Sequence, residues 1–379
     1  VPAGGNWRLP VPLGPDDERR AFADRLTRGM MRERSGEHAM GWFERLTGFR
    51  ETSYAQTQER LHLAEGRLVR PDTGESFAAG TLTLPSLAEL RAAAAAAAAA
   101  RRPGRQRLSI VEGDVRALHR VPENRGALFQ VASQFNMLEM VGPDVMPEHG
   151  VAGYAHDHTQ GPACAMAAGA ATIYRNYLAS VDGRIGQTSG RQLDGLADLG
   201  DALARRLGTA RTALWTMRNG YALPTEEGLA AIAAHLRAAS EADLDDLRGY
   251  LRLGLHTDVE VTDGPAPRPL VSQIFCSALP VAYTRLSREA WAPFARLVLE
   301  AAYEGTLLAG LLNAARGASD RVLLTRLGGG AFGNAEAWID AAMLRALRVT
   351  RDAGLDVVVV SYGPPSQGLR DLVRRYEAD

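Results

Sequence analysis

Val322-Leu-Leu-Thr-Arg-Leu-Gly-Gly-Gly-Ala-Phe-Gly-Asn334 is the stretch on which the fold class turns. Its apolar head is too short for a helix and reads as a buried strand. Three consecutive glycines then take the chain through a turn. Apolar residues at helical spacing follow over 335–352, and Val357-Val-Val-Val-Ser361 is another buried strand. Strand, turn, helix, strand is the period of a layered α/β sheet. The alternation continues upstream. Leu108-Ser-Ile-Val111, Ala127-Leu-Phe-Gln-Val-Ala132 and Leu270–Cys276 read as strands, and Ala213–Met217 as strand-like. Residues 162–177, 225–252 and 288–315 read as helices. The expectation for 106–379 is an α/β fold with a mixed sheet and helices on both faces.

Residues 1–105 have a different texture. Pro15-Asp16-Asp17 opens a helical pattern that Phe22, Leu26 and Met30 continue, and Trp42, Phe43 and Leu46 extend an apolar face. Between Arg60 and Leu84 the pattern is strand–turn–strand, with Leu61–Leu63 and Leu68-Val69 before the turn Pro71-Asp-Thr-Gly74 and Thr81–Leu84 after it. The alanine run 92–100 reads as a helix starting at Ser86, because alanine is the best helix former. A mainly helical N-terminal extension with a β-hairpin is expected over 1–105.

Lysine plus arginine total 43 and aspartate plus glutamate 44, a formal charge of −1. That balance supplies no field to draw the whole chain onto nucleic acid or an anionic membrane. No lysine occurs at all, which excludes a Schiff-base lysine, a P-loop lysine and a Ser–Lys dyad. Two cysteines, Cys164 and Cys276, make neither a disulfide framework nor a four-thiolate metal site. No apolar run reaches membrane-spanning length. Val1-Pro-Ala-Gly-Gly lacks the basic and apolar regions of a signal peptide. A cytoplasmic monomer without a cofactor is expected.

Ligands of open α/β sheets bind beyond the carboxyl ends of the strands. Three polar loops lie at such places: Ser133-Gln-Phe-Asn136, Asp157-His-Thr-Gln-Gly-Pro162 and Gly328–Asn334. The last two feed helix starts, where free N–H groups and the helix dipole favour anions, phosphate above all. Glycines let the backbone approach a diphosphate closely. His156-Asp-His158 with Glu148-His149 matches no established zinc spacing, so no metal is expected.

The order of these motifs resembles the macrodomains, which bind or hydrolyse ADP-ribose. Glu112-Gly-Asp114-Val115 is similar to their Gly-Asp-Ile/Val element. Phe129-Gln-Val-Ala-Ser-Gln-Phe-Asn136 is similar to their Asn-containing strand end, nearest to the Ala-Ser-x-x-Asn form of bacterial-type poly(ADP-ribose) glycohydrolases. Trp215–Pro224 resembles their Thr-x-Gly-Tyr-x-Leu-Pro segment, Tyr303–Ala309 their Tyr…Leu…Ala helix, and Gly328–Asn334 the Gly-x-Gly-Ala-Phe-Gly-Asn loop of the glycohydrolase branch. The resemblance covers about 106–379, with an enlarged middle near 183–265. It implies a three-layer α/β/α macrodomain-like sandwich. Two departures stand out: Asn136 is followed by Met-Leu-Glu-Met rather than glycines, and no paired glutamates follow.

On this resemblance Asp114, with Val115 beside it, would hold the adenine amino group. Asn136 would orient the distal ribose. Gly328, Gly329 and Gly330, with Ala331 and Gly333, would offer backbone to the diphosphate, and Phe332 would lie against a ribose. Asn334 would contact ligand or cap the next helix. Gln134, Thr159, Gln160 and Gly161 complete the candidate ligand set. Asp157 is the expected acid/base. A carboxylate there would activate water at the distal ribose C1″ and stabilise an oxocarbenium-like state. Glu139 is the alternative acid. The expected partner is ADP-ribose or an ADP-ribosylated substrate, with nucleic acid only as a modified carrier. The expected function is an ADP-ribosyl hydrolase; the alternatives are a non-catalytic ADP-ribose reader and a hydrolase of another NAD-derived nucleotide.

Overall fold

The structure, a computed structural model, describes residues 40–98 and 104–379. The helical pattern expected over Pro15–Met30 lies outside the described residues. Residues 41–379 form one compact unit. No helix among the described residues is long and apolar enough to cross a membrane.

Seven strands make the central sheet: β1 (Thr81–Thr83), β2 (Arg107–Glu112), β3 (Leu128–Ala132), β4 (Gly254–Glu260), β5 (Leu270–Cys276), β6 (Arg321–Leu324) and β7 (Asp356–Ser361). Their spatial order is β1-β4-β5-β3-β6-β7-β2. From β5 to β2 every pairing is parallel, and β4 runs antiparallel to both β5 and β1, so the sheet is mixed. Period-two alternation sorts the central strands onto two cores. Leu128, Ile274, Val322, Leu324, Val357 and Val359 face a core built on the long helix Arg288–Ala315. Phe129, Val131, Phe275, Leu323 and Val358 face the opposite core, where Val115, Cys164, Ala168 and Ala171 pack. Helices therefore cover both faces, giving the expected three layers. Strands buried on both sides carry continuous apolar runs, which is why Val357–Val360 was legible as a strand.

The long helix is capped by Ser287, whose hydroxyl accepts the Ala290 N–H. Pro293 lies inside it and leaves the Glu289 carbonyl without its helical donor; the Arg237 guanidinium supplies one at 3.0 Å.

Four sequence expectations are corrected in detail. The boundary near 105 does not divide the described chain. Thr81–Thr83 pairs with β4 as an edge strand of the main sheet, and the helix Leu87–Ala98, which opens on a reciprocal Ser86–Glu89 cap, packs on the long helix. The strand expected over Ala213–Met217 starts two residues later, after a short helix Arg211–Leu214, and Trp215–Arg218 pairs with Tyr221–Pro224 in a hairpin outside the main sheet. Residues 225–252 hold two helices, Glu226–Ala238 and Glu241–Gly249, because Ser240 caps a new start with Asp243. The helix expected over 162–177 breaks at Ala168 (ψ 61°) into Gln160–Ala167, Gly169–Ile173 and the wider turns Tyr174–Leu178. Thr262 holds the break open. Its hydroxyl accepts the Gly169 N–H and its own N–H reaches the Ala167 carbonyl.

The N-terminal elements are the helices Trp42–Thr47 and Tyr54–Arg60 and a three-stranded meander over residues 62–78. Trp42, Phe43, Leu46, Phe49, Leu68 and Phe77 share a core with Leu138, Tyr154, Met166, Ile173 and Tyr177.

Candidate active site

A cavity of about 170 Å³ opens at the carboxyl ends of β3 and β6. Its walls come from three loops: 132–141 after β3, 157–162 at the next helix start, and 325–332 after β6. Tyr221 and Tyr283 close the side. Gly161 sets the geometry. A Cβ there would lie 2.1 Å from the Ala132 carbonyl oxygen and 3.0 Å from Glu139 Cγ. Only glycine lets the first turn of helix Gln160–Ala167 press onto the end of β3. Gln160 reinforces the junction. Its amide oxygen accepts the Ala132 N–H at 2.8 Å and its NH₂ donates to the Gln130 carbonyl at 2.8 Å. That side chain is spent on the strand; what Gln160 leaves to a ligand is backbone.

Two acidic residues line the cavity, and the side chain of one of them, Glu139, is wholly buried. Asp157 is 9 % exposed, and its Oδ1 accepts the Thr159 N–H at 2.8 Å. Thr159 occupies the cap position of the helix, but its hydroxyl caps nothing. Glu139 is 2 % exposed. Both its oxygens face Arg175 Nη2, at 3.1 and 3.4 Å, and its N–H donates to the Tyr154 hydroxyl at 3.0 Å. Burial pushes the Glu139 carboxyl up to about 7, and the single guanidinium offsets only part of that cost. A carboxyl of this kind holds or gives a proton near neutral pH.

The 325–334 loop is fixed from below and from the side. Tyr303, on the long helix, donates to the Thr325 carbonyl and accepts the Leu327 N–H at 2.7 and 2.9 Å. Gly328 takes a left-handed conformation (φ 74°) that a side chain would strain. Asn334 does not cap the following helix, whose cap position is Ala335. It donates instead to the Leu279 and Gly328 carbonyls and so latches the loop to the end of β5. Ala282 N–H to Phe332 O, at 3.0 Å, makes a second latch. The N–H groups of Gly330, Ala331 and Phe332 take no partner among the described residues' backbone bonds. Phe332 packs its ring on Tyr221 and Tyr283, with centroids 5.3 and 5.6 Å away.

Asp157, Glu139, Gln134, Thr159, Gln160, Gly161, Gly328, Gly330, Ala331 and Phe332 are thus brought to one cavity. Asn136, Gly329, Gly333, Asn334, Asp114 and Val115 do not line it. Asn136 is 0 % exposed. Its oxygen accepts the Leu138 N–H and its NH₂ donates to Gln192, so its side chain is committed to the loop. Where a run of glycines was absent, Met137 itself adopts φ 62°. Gln134 also serves the loop, accepting the Met140 N–H at 2.7 Å. Asp114 is exposed and accepts the Arg116 N–H, and Val115 is buried beneath it.

Tyr362, outside the cavity, was not singled out from the sequence. It follows β7 directly, is 83 % exposed, and lies beside the Gly113–Asp114 turn, since Gly113 N–H bonds to the Ser361 carbonyl. Tyr283, Arg326, Met140 and Val141 also line the cavity without having been singled out. Among the described residues no cluster of His, Cys, Asp or Glu is arranged to hold a metal ion.

No family model matches the sequence, and no curated protein matches it. Solved structures similar to this chain include a poly(ADP-ribose) glycohydrolase from Thermomonospora curvata. It shares 14% identity over 85% of this chain and 96% of that one, at a TM-score of 0.43. The enzyme of the same name from Deinococcus radiodurans, in complex with ADP-ribose, shares 14% identity over 87% of this chain and 98% of that one, at 0.41. The Thermomonospora curvata protein bound to the inhibitor ADP-HPD shares 15% identity over 85% and 96%, at 0.40.

Proposed function

We propose that this chain is an ADP-ribosyl hydrolase that releases ADP-ribose by water attack at the distal ribose C1″. The observation that carries the reading is a single cavity lined by Gly330, Ala331 and Phe332, whose N–H groups make no backbone hydrogen bond among the described residues, and by the acidic residues Asp157 and Glu139. Amides at a glycine loop and a helix start are anion receptors, suited to the diphosphate. Carboxyl groups opposite them are suited to glycosidic chemistry at a sugar. The cavity is smaller than the roughly 300–1,000 Å³ that encloses a drug-sized ligand. It takes the distal ribose, and the rest of the dinucleotide runs along the strand ends towards Asp114 and the exposed ring of Tyr362, where adenine stacks.

Among the described residues Asp157 has no guanidinium partner, and the Thr159 N–H fixes its orientation, which suits activating water and stabilising positive charge at C1″. Glu139 retains a proton near neutrality, which suits protonating the leaving group. Asn136 acts through the loop rather than on the ribose. A cytoplasmic monomer remains part of this reading.

One observation favours a non-catalytic reader: the side chains of Asn136 and Gln134 are spent on the loop, which leaves fewer polar groups for the sugar. The test separates the two. Wild type and Asp157→Ala are incubated with ADP-ribosylated protein and DNA, and released ADP-ribose is measured. Turnover by wild type, with binding but no turnover in the variant, is the expected result. Binding without turnover on every linkage leaves the reader. Calorimetry with ADP-ribose, ADP, AMP and NAD decides whether another nucleotide is preferred.

A further inference from the structure

We propose that Glu51 is a positioning residue for the acid-bearing loop, so that the segment 42–58 completes the site from outside it. The inference rests on the hydrolase reading above. Glu51 Oε1 accepts the Val151 N–H and the Tyr177 hydroxyl, and Oε2 accepts the Ala152 N–H, each at 2.8 Å. One carboxylate therefore ties the start of the stretch 151–177 to its end. Its neighbours repeat the pattern. The Trp42 indole donates to the Ala152 carbonyl at 3.3 Å, Tyr54 to the Asn176 carbonyl at 3.0 Å, and Gln58 to the Tyr177 carbonyl at 2.7 Å.

Everything the cavity takes from this stretch lies between those two anchors: Asp157, Thr159, Gln160, Gly161 and Pro162. The link to Asp157 is short. Ala152–His156 is a tight 3₁₀ turn, and Asp157 N–H closes it on the Tyr154 carbonyl at 3.1 Å. Tyr154 in that turn also accepts the Glu139 N–H. A shift at Val151–Ala152 is thus carried to both carboxyl groups, while the 328–334 loop is latched elsewhere. Gly150 shows how closely the chain is drawn down; a Cβ there would lie 2.4 Å from the Glu51 carboxylate.

The test uses Glu51→Gln in the full chain, which keeps the volume but replaces one acceptor oxygen with a donor. kcat for ADP-ribose release from an ADP-ribosylated protein falls at least tenfold, while the affinity for free ADP-ribose stays within about threefold. Amide hydrogen exchange speeds up over 151–160 and is unchanged over 328–334. Glu51→Asp, which restores the acceptors on a shorter arm, recovers part of the rate. Unchanged exchange over 151–160 overturns the proposal whatever the turnover. So does a joint loss of rate, affinity and thermal stability, which marks a merely structural role. Faster exchange over 151–160 in a protein whose wild type has no turnover supports the positioning role and overturns the hydrolase reading instead.

Discussion

Glu304 and Glu139 are both buried and both face arginine, and they end in opposite electrostatic states. Glu304, on the long helix, is bracketed by Arg91 at 2.5 Å and Arg345 at 2.5 Å, with Asp245 completing the network. Burial works against its charge, but the two guanidiniums overcome it and hold the carboxyl below its usual range. Glu139 has Arg175 alone, and one of that residue's own nitrogens, Nη1, is left without a partner among the described residues. Burial wins there and the carboxyl rises to about 7. Residue type and burial match; the count of counter-charges differs. The compensated group lines a cavity of about 650 Å³ among the helices with its own arginines, and the undercompensated one belongs to the cavity at the carboxyl ends of β3 and β6. A buried acid given too little compensation is a candidate for proton chemistry.

The comparison breaks most visibly on activity. Glu139→Gln is expected to lower turnover by about 10²–10⁴-fold, the usual contribution of a positioned acid, while Glu304→Gln leaves turnover within about threefold; steady-state release of ADP-ribose checks both. Stability is next. Arg175→Met strands a buried carboxyl and should cost about 3–5 kcal/mol in urea unfolding. Arg345→Met leaves Arg91 in place at a half-open site and should cost about 1 kcal/mol.

The pH dependence has opposite signs. Between about 4.5 and about 7 the folded state holds the Glu139 proton and the unfolded chain releases it, so this group lowers stability as pH rises through that window. Glu304 contributes stability above its unfolded value that is lost on acidification. Urea titrations from pH 4.5 to 8 should therefore flatten for Glu139→Gln, and the stability gain of wild type towards the acid end of that window should disappear. The smallest effect belongs to Tyr154→Phe. It removes the acceptor of the Glu139 N–H and should cost about 1 kcal/mol, read by thermal unfolding.

What the sequence made legible was local. Val357–Val360 and Gly328–Gly330 carry their own evidence, as a buried run and a turn. The loops after β3 and β6 were found because strand ends follow directly from strands. Partnership across the chain was not readable. Asn136 was expected to orient a ribose, yet its side chain is claimed by Gln192, 56 residues away. Glu139 looked secondary because the counter-charge it meets among the described residues stands 36 residues on. Thr81–Thr83 read as half of an N-terminal hairpin because nothing near it announces a strand 173 residues later as its neighbour; the pairing of Thr83 is with Leu255, and that of Thr81 with Thr257. Tyr362 was passed over because exposure belongs to the fold, not to a residue's neighbours in sequence.

The interruption at Ala168 has a metric consequence. At 1.5 Å per residue, an unbroken helix from Gly161 would carry Arg175 roughly 21 Å down its axis, beyond the span of an arginine reaching for Glu139. The kink doubles the path back, so the guanidinium arrives beneath the carboxyl whose backbone neighbour Met137 it also holds through Nε at 2.9 Å. Straightening that hinge would uncouple the two residues without altering either one.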